Sequence, residues 1–216
     1  MNTDWCHQES DNVLLVEGQN DCHVILALCE AYKVPETFGI YECGSDDKAV
    51  KRLNALISAP KPPAIIGLVV DADNPNLSGR WQSIVNKLKQ YNYVFPAAPE
   101  LVGTIIEPVS ETPRLGFWLM PNNQNDGMLE DFCKEMINDN SLQIVEECLL
   151  IAEASNSTSY KPVHRSKAVV HTYLAWQDEP GKPLGQAITA QSLRPDTATA
   201  QSFVSWMMKL FRDQSI

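Results

Sequence analysis

Ala64-Ile65-Ile66-Gly67-Leu68-Val69-Val70-Asp71-Ala72-Asp73 is an apolar run with a β-branched bias that ends in two carboxylates one residue apart. Pro60, Pro62 and Pro63 precede it, and Asn74-Pro75 follows it. A short apolar run bounded by breakers reads as a buried strand of a parallel sheet. Asp71 and Asp73 then fall where that strand ends. Ligands of open α/β sheets bind in the crevice at the carboxyl ends of the strands. Alternate residues of an extended chain point the same way, so both carboxylates can converge on one point. Oxygen donors at that spacing suit a hard cation such as Mg²⁺. Asp, Asn and Pro after a strand are also ordinary turn formers, and this stretch by itself leaves both readings open.

Working outward, Val13-Leu14-Leu15-Val16 is a second short apolar run, and it ends in Glu17-Gly18-Gln19-Asn20-Asp21. Val24, Ile25, Leu28, Cys29 and Tyr32 then recur with helical spacing. A strand therefore stops at Glu17, Gly18 makes the turn, and Asn20 or Asp21 caps a helix. Residues 38–43 read as a strand, and 46–58 as a helix with Ser45 as its N-cap. Ser78 is the expected cap of a helix running to Tyr91. Strands alternating with helices predict a doubly wound, mostly parallel sheet.

The pattern then changes. Residues 102–109 and 114–120 read as a hairpin around Ser110-Glu111-Thr112-Pro113. After a loop over 121–127, Met128, Leu129, Phe132, Cys133 and Met136 mark one face of a helix. Glu130 and Asp131 stand in its first turn, where acids suit the helix dipole. Helices are expected over 142–154, 167–176 and 198–211, with a Pro/Gly-rich loop over 178–185. The expected organisation is an α/β domain over 1–140 and a helical C-terminal segment over 141–216 packed on it.

With 216 residues, 44% hydrophobic and 20% charged, the chain can bury one sizeable core. Its net charge of -10 and pI near 4.8 count against a module that binds nucleic acid through phosphates alone. They count less against a metal-dependent nuclease, whose own carboxylates hold the cation. Cys6, Cys22, Cys29, Cys43, Cys133 and Cys148 form no Cys-x-x-Cys pair. The polar start of the chain carries no secretory pattern, so reduced core thiols and a cytoplasmic location are expected. No apolar run approaches the ~20 residues of a membrane span.

Two strands thus end in acids, Glu17-Gly18 and Asp71-x-Asp73. Carboxylates facing one crevice repel one another unless a cation or protons intervene, which is the physical reason to expect Mg²⁺ or Mn²⁺ there. An acid-Gly pair after the first strand with Asp-x-Asp after a later one resembles the Toprim domain of topoisomerases, primases and the overcoming-lysogenisation-defect (OLD) nucleases. The resemblance spans roughly 13–139. Val16-Glu17-Gly18-Gln19-Asn20-Asp21 looks most like the OLD-type branch, where a second acid follows the first by one turn. Gly127-Met128-Leu129-Glu130-Asp131 is similar to the small stand-alone Toprim-like proteins.

The resemblance implies Glu17 as general acid or base, or as a metal ligand. It implies Asp71 and Asp73 as principal metal ligands, Asp21 as part of a second metal site, and Glu130 or Asp131 as a further carboxylate. It also implies a C-terminal lysine that stabilises the scissile phosphate; Lys167 is the candidate, with Lys161 and Lys182 competing. Asp21 as a helix cap, and Glu130 and Asp131 as dipole partners, remain plain alternatives. The implied activity is Mg²⁺-dependent hydrolysis of phosphodiester bonds in DNA or RNA. The alternative is a non-catalytic interaction module, or an effector partner of a separate ATPase in phage defence, since the chain has no P-loop of its own. Neither a topoisomerase tyrosine motif nor a primase zinc cluster is present. Pro75 stands where a haloacid-dehalogenase phosphatase has Thr or Val.

Overall fold

A computed structural model describes residues 4–8, 10–73 and 75–212 of the chain. Asn74, half of the Asn74-Pro75 turn read after Asp73, lies outside the described residues. The elements run β1 (Asn12–Val16), α1 (Gln19–Tyr32), β2 (Gly39–Glu42), α2 (Asp46–Ile57), β3 (Ile65–Asp71), α3 (Leu77–Leu88), β4 (Thr104–Ile106) and β5 (Arg114–Met120). Then come α4 (Leu129–Lys134), α5 (Asp139–Ala154), α6 (Arg165–Ala175), α7 (Leu184–Thr189) and α8 (Ala198–Leu210). The described strands form one sheet in the order β2-β1-β3-β5-β4. β1 pairs in parallel with β2 and β3, β3 pairs in parallel with β5, and β4 runs antiparallel at the edge. This is a mixed α/β fold with a mostly parallel sheet flanked by helices.

Strand alternation sorts the two faces. Val13, Leu15, Ile66, Leu68, Val70, Leu115, Phe117 and Leu119 share a core with residues of α2 and α3. Leu14, Val16, Ile65, Val69, Trp118 and Met120 share the other with α1 and the C-terminal helices. With both faces covered, the central strands are apolar throughout, as sheets buried on both sides require.

On the second face, Gly67 and Gly116 stand opposite each other in register. Together they leave a trench. A Cβ at Gly116 would stand 2.3 Å from Leu210 Cδ2, and one at Gly67 would stand 2.5 Å from Leu14 Cδ1 and 3.1 Å from Leu210 Cδ2. The end of α8 fills this space, with Leu210 and Phe211 buried. Full burial of such a side chain contributes ~1.5–3 kcal/mol. Further along α8, Trp206 packs on Trp118 and Phe203, and its indole N–H donates to the Thr104 carbonyl at 3.3 Å.

Several boundaries differ from the sequence reading. The N-cap of α1 is Gly18, and Asn20 and Asp21 lie inside the helix. Asn76, not Ser78, caps α3, accepting the Gly79 N–H at 2.8 Å. α7 begins in the last two residues of the 178–185 stretch read as loop, runs on to Thr189 and packs on α1, where a Cβ at Gly185 would stand 2.5 Å from the His23 carbonyl oxygen. The expectation of uniformly reduced thiols is also corrected, because Cys6 and Cys22 form a disulfide. Its cause is a strand-like approach of the N-terminal segment to the edge of β2. Gln8 N–H donates to Ile40 O at 3.0 Å and Glu42 N–H to Cys6 O at 2.8 Å, which lays Cys6 over the first turn of α1. Cys29, Cys43, Cys133 and Cys148 remain thiols. No described helix is long and apolar enough to cross a membrane.

Candidate functional site

The strand order reverses between β1 and β3. β2 lies on one side of β1 and β3 on the other, so the carboxyl ends of β1 and β3 flank the topological switch point, where open α/β sheets place their ligands. Glu17 directly follows β1, and Asp71 is the last residue of β3. Glu17 Oε1 accepts the backbone N–H of Asp71 at 2.8 Å. The Asp71 carboxylate in turn accepts the Leu129 N–H, at the start of α4, at 3.0 Å.

Asp21 sits in the first turn of α1, 7% exposed. It accepts the Gly18 N–H at 3.1 Å, which closes the Glu17-Gly18 turn onto the helix. Glu130, in the first turn of α4, is 3% exposed. Lys167, in the first turn of α6, lies 3.3 Å from Glu130 Oε1. Asp73 is partly buried just beyond β3 and acts on Asp71 through its charge.

Burial and mutual repulsion govern the protons of this group. Burial lifts the Asp71 carboxyl to about 9, with Asp21, Glu17, Asp73 and Glu130 adding to the effect. Burial lifts Glu17 to about 7, against the Asp71 N–H, with Asp21 and Asp46 pushing it further. Asp21 rises to about 6, again chiefly through burial, with Glu130 contributing. At neutral pH Asp71 therefore keeps its proton and Glu17 keeps it in part, while Asp21 is largely ionised. A bound cation inverts that balance and lets them ionise together.

The donor set is all oxygen, which suits a hard cation. Among the described residues, no three His, Cys, Asp or Glu side chains stand together as a ready-made metal group. The reason lies in the contacts. Glu17 reaches Asp71 through a backbone N–H, and Asp71 and Asp21 are likewise fastened to N–H groups. Asp71 and Asp73 would supply only part of a shell for Mg²⁺, which is commonly held by one or two carboxylates with waters and substrate phosphates completing the octahedron.

The structure thus gathers Glu17, Asp21, Asp71, Asp73 and Glu130 at one end of the sheet, with Lys167 against Glu130. Asp131 stands apart in its contacts. It accepts the Met128 N–H at 3.0 Å, pairs with the Ser166 hydroxyl, and lies 3.9 Å from Lys134 Nζ. Of the competing lysines, Lys182 pairs with Glu179 at 3.4 Å, and Lys161 is exposed ahead of the 3-10 turn Pro162–His164. Arg80 and Asp46 were not anticipated. The Arg80 Nε donates to the Asp71 carbonyl at 3.2 Å, and its guanidinium pairs with Asp46. The available signal was spacing: Arg80 precedes Ile84 and Leu88 at intervals of four on the buried stripe of α3.

An α/β protein with a mostly parallel sheet and an acid-lined crevice at its switch point is the class that this fold and site define. The chain belongs to the family described as "Protein of unknown function (DUF3226)", whose profile matches residues 11–212. Two solved structures of the C-terminal region of the OLD protein of Xanthomonas campestris pv. campestris, one phased with iodine and one with mercury, are similar to it. They are 14% and 15% identical, each with a TM-score of 0.44, covering 94% of this chain and 96% of theirs. No curated protein matches the chain.

Proposed function

We propose that the chain is a Toprim-like, Mg²⁺- or Mn²⁺-dependent nuclease that hydrolyses phosphodiester bonds of DNA or RNA. The single observation that carries this reading is the convergence of Glu17, Asp21, Asp71 and Glu130, from different chain segments, with Lys167 at 3.3 Å from Glu130. Asp71 and Asp73 would be the principal ligands of the cation, with Glu17, Asp21 and Glu130 completing one or two sites. Bound there, the cation would lower the pKa of a water and neutralise phosphate charge.

The protein's own residues supply the rest. Glu17, where it is not itself a ligand, would take a proton from the attacking water, ionised for that task once a cation offsets its acidic neighbours. Lys167, half exposed, can reach outward to the equatorial phosphate oxygens and stabilise the charge that develops there. Asp131, engaged by Met128 and Ser166, serves α4 and α6 rather than the phosphate.

The test is cleavage of supercoiled, linear and single-stranded DNA and of RNA, in Mg²⁺ and in Mn²⁺, by wild type and Asp71→Ala. Wild type is expected to cleave at least one substrate and the variant none. A folded, metal-loaded wild type that cleaves nothing would overturn the reading.

A second reading is an interaction module or effector partner of a separate ATPase. It is favoured by α5, which exposes Ile144 (52%), Leu150 (58%) and Ile151 (69%) on its outer side. Co-purification of an ATPase with wild type, and its loss from an Ile144→Asp/Ile151→Asp variant, would support this role.

A further inference from the structure

Arg80 is 8% exposed, and an unpaired cation at that depth is costly. Its partners explain its presence. The Nε donates to the carbonyl of Asp71 at 3.2 Å, while Nη1 pairs with the carboxylate of Asp46 in the first turn of α2. The planar guanidinium presents its donors in fixed directions, so the two contacts determine each other.

Asp71 is consequently gripped on both sides of its backbone. Its N–H is held by Glu17 at 2.8 Å, its C=O by Arg80, and its side chain by the Leu129 N–H. The grip spans β1, α3 and α4, and Asp46 ties it to α2. On the other side of the same peptide the Ala72 N–H donates to the Gly127 carbonyl at 2.8 Å, so Arg80 holds the carbonyl side of the peptide that leads to Asp73 and the loop before α4 holds its N–H.

We propose that Arg80 is the positioning residue of the acidic crevice: a clamp anchored on Asp46 that sets the Asp71 backbone and thereby aims the Asp71 carboxylate. The role of Arg80 as a clamp stands on contacts alone. Its consequence for metal binding rests on the function proposed above.

Positioning and plain electrostatics make opposite forecasts. A positive charge beside the crevice repels a divalent ion, so a merely electrostatic Arg80 would on removal tighten metal binding, and Lys would replace it without effect. A clamp cannot be replaced by Lys, whose single ammonium cannot reproduce the fork.

The first experiment needs no metal. Amide hydrogen exchange, followed by NMR, is compared in wild type, Arg80→Lys and Asp46→Asn. The Asp71 and Leu129 amides are expected to exchange about tenfold faster in Arg80→Lys, while the Val69 amide is unchanged. The second is calorimetric titration with Mn²⁺. Arg80→Lys is expected to bind about tenfold more weakly, and Asp46→Asn to shift in the same direction. Arg80→Met is added for contrast; where it fails to fold, the Lys and Asn variants decide. Unchanged exchange at Asp71 and Leu129, or Mn²⁺ binding equal to or tighter than wild type, overturns the clamp. A wild type that binds no Mn²⁺ overturns the metal reading instead, and the exchange result then decides the clamp alone.

Discussion

The carboxylate of Glu17 accepts the backbone N–H of Asp71 at 2.8 Å, joining the ends of two neighbouring parallel strands that lie 54 residues apart in sequence. This bond draws acidic groups together where burial already penalises their charge. The crevice is therefore least comfortable when its acids are ionised and no cation is present.

Stability should consequently depend on pH with a defined sign. Asp71 at about 9, Glu17 at about 7 and Asp21 at about 6 all lie above the ordinary carboxylate range. The folded chain keeps protons that the unfolded chain has released, so its stability is full below the unfolded values, about 4, and declines as pH rises through the folded ones. Scanning calorimetry in metal-free buffer should show Tm falling between about pH 5 and about pH 9, with Mg²⁺ or Mn²⁺ restoring it at the alkaline end. A Tm that is flat in metal-free buffer would contradict the argument.

Asp71→Asn should separate stability from function. The amide still accepts the Leu129 N–H but carries no charge. Tm without metal is expected to rise near pH 8, because the amide removes the cost of holding a proton that the unfolded chain has released, by roughly 2–4 °C for each kcal/mol gained, while Mn²⁺ affinity and cleavage are lost. Calorimetry beside an activity assay reads both.

Lys167→Ala should lower the cleavage rate by roughly 10²–10³ and also lower Tm, since it takes the paired ammonium away from the buried Glu130 carboxylate. A variant with full activity would return the role to Lys161 or to no lysine at all. Single-turnover kinetics with saturating substrate is the measurement.

The Cys6–Cys22 bond closes a segment of sequence separation 16. For a loop of that order the chain-entropy model gives about 3 kcal/mol. Cys6→Ser should shift the denaturation midpoint accordingly. Alkylation of the unfolded, unreduced protein should modify Cys29, Cys43, Cys133 and Cys148 and spare Cys6 and Cys22, with both becoming reactive after reduction.

Gly103→Ala tests the docking of α8. Gly103 has φ +87, and a Cβ there would stand 2.2 Å from Trp206 Cδ1. Left-handed strain and overpacking add up to about 2–5 kcal/mol, visible as a lower urea midpoint with little change in the metal titration of the folded protein.

Much of this architecture can be read from residues alone, and the reasons are specific. β3 and β5 are legible because strands buried on both faces are apolar throughout and end abruptly, in Asp71 and in Met120-Pro121. Glu17 and Asp71 are legible because they stand at the ends of the apolar strands β1 and β3. α7 is not, since Pro183, Gly185 and a polar flank read as loop, and its helix persists through packing on α1. The cap of α1 is misread because Gly18 takes the N-cap position while Asp21 serves it from inside the helix. The disulfide is invisible because the pairing of residues 6–8 with β2 brings Cys6 to Cys22, and no sequence spacing encodes it. Arg80 escapes notice because a basic residue near a helix start ordinarily faces water, whereas here Asp46 and the Asp71 carbonyl replace the solvent.

The glycine trench across β3 and β5 also bears on how the chain is made. Its filling, Leu210 and Phe211, is translated long after the strands it seals. A ribosome-bound intermediate lacking them carries an open furrow down the middle of its sheet, next to exposed Leu14 and Trp118. Such long-range closure slows folding and leaves apolar surface available to chaperones or to neighbouring nascent chains. The trench is therefore closed only after α8 has been synthesised.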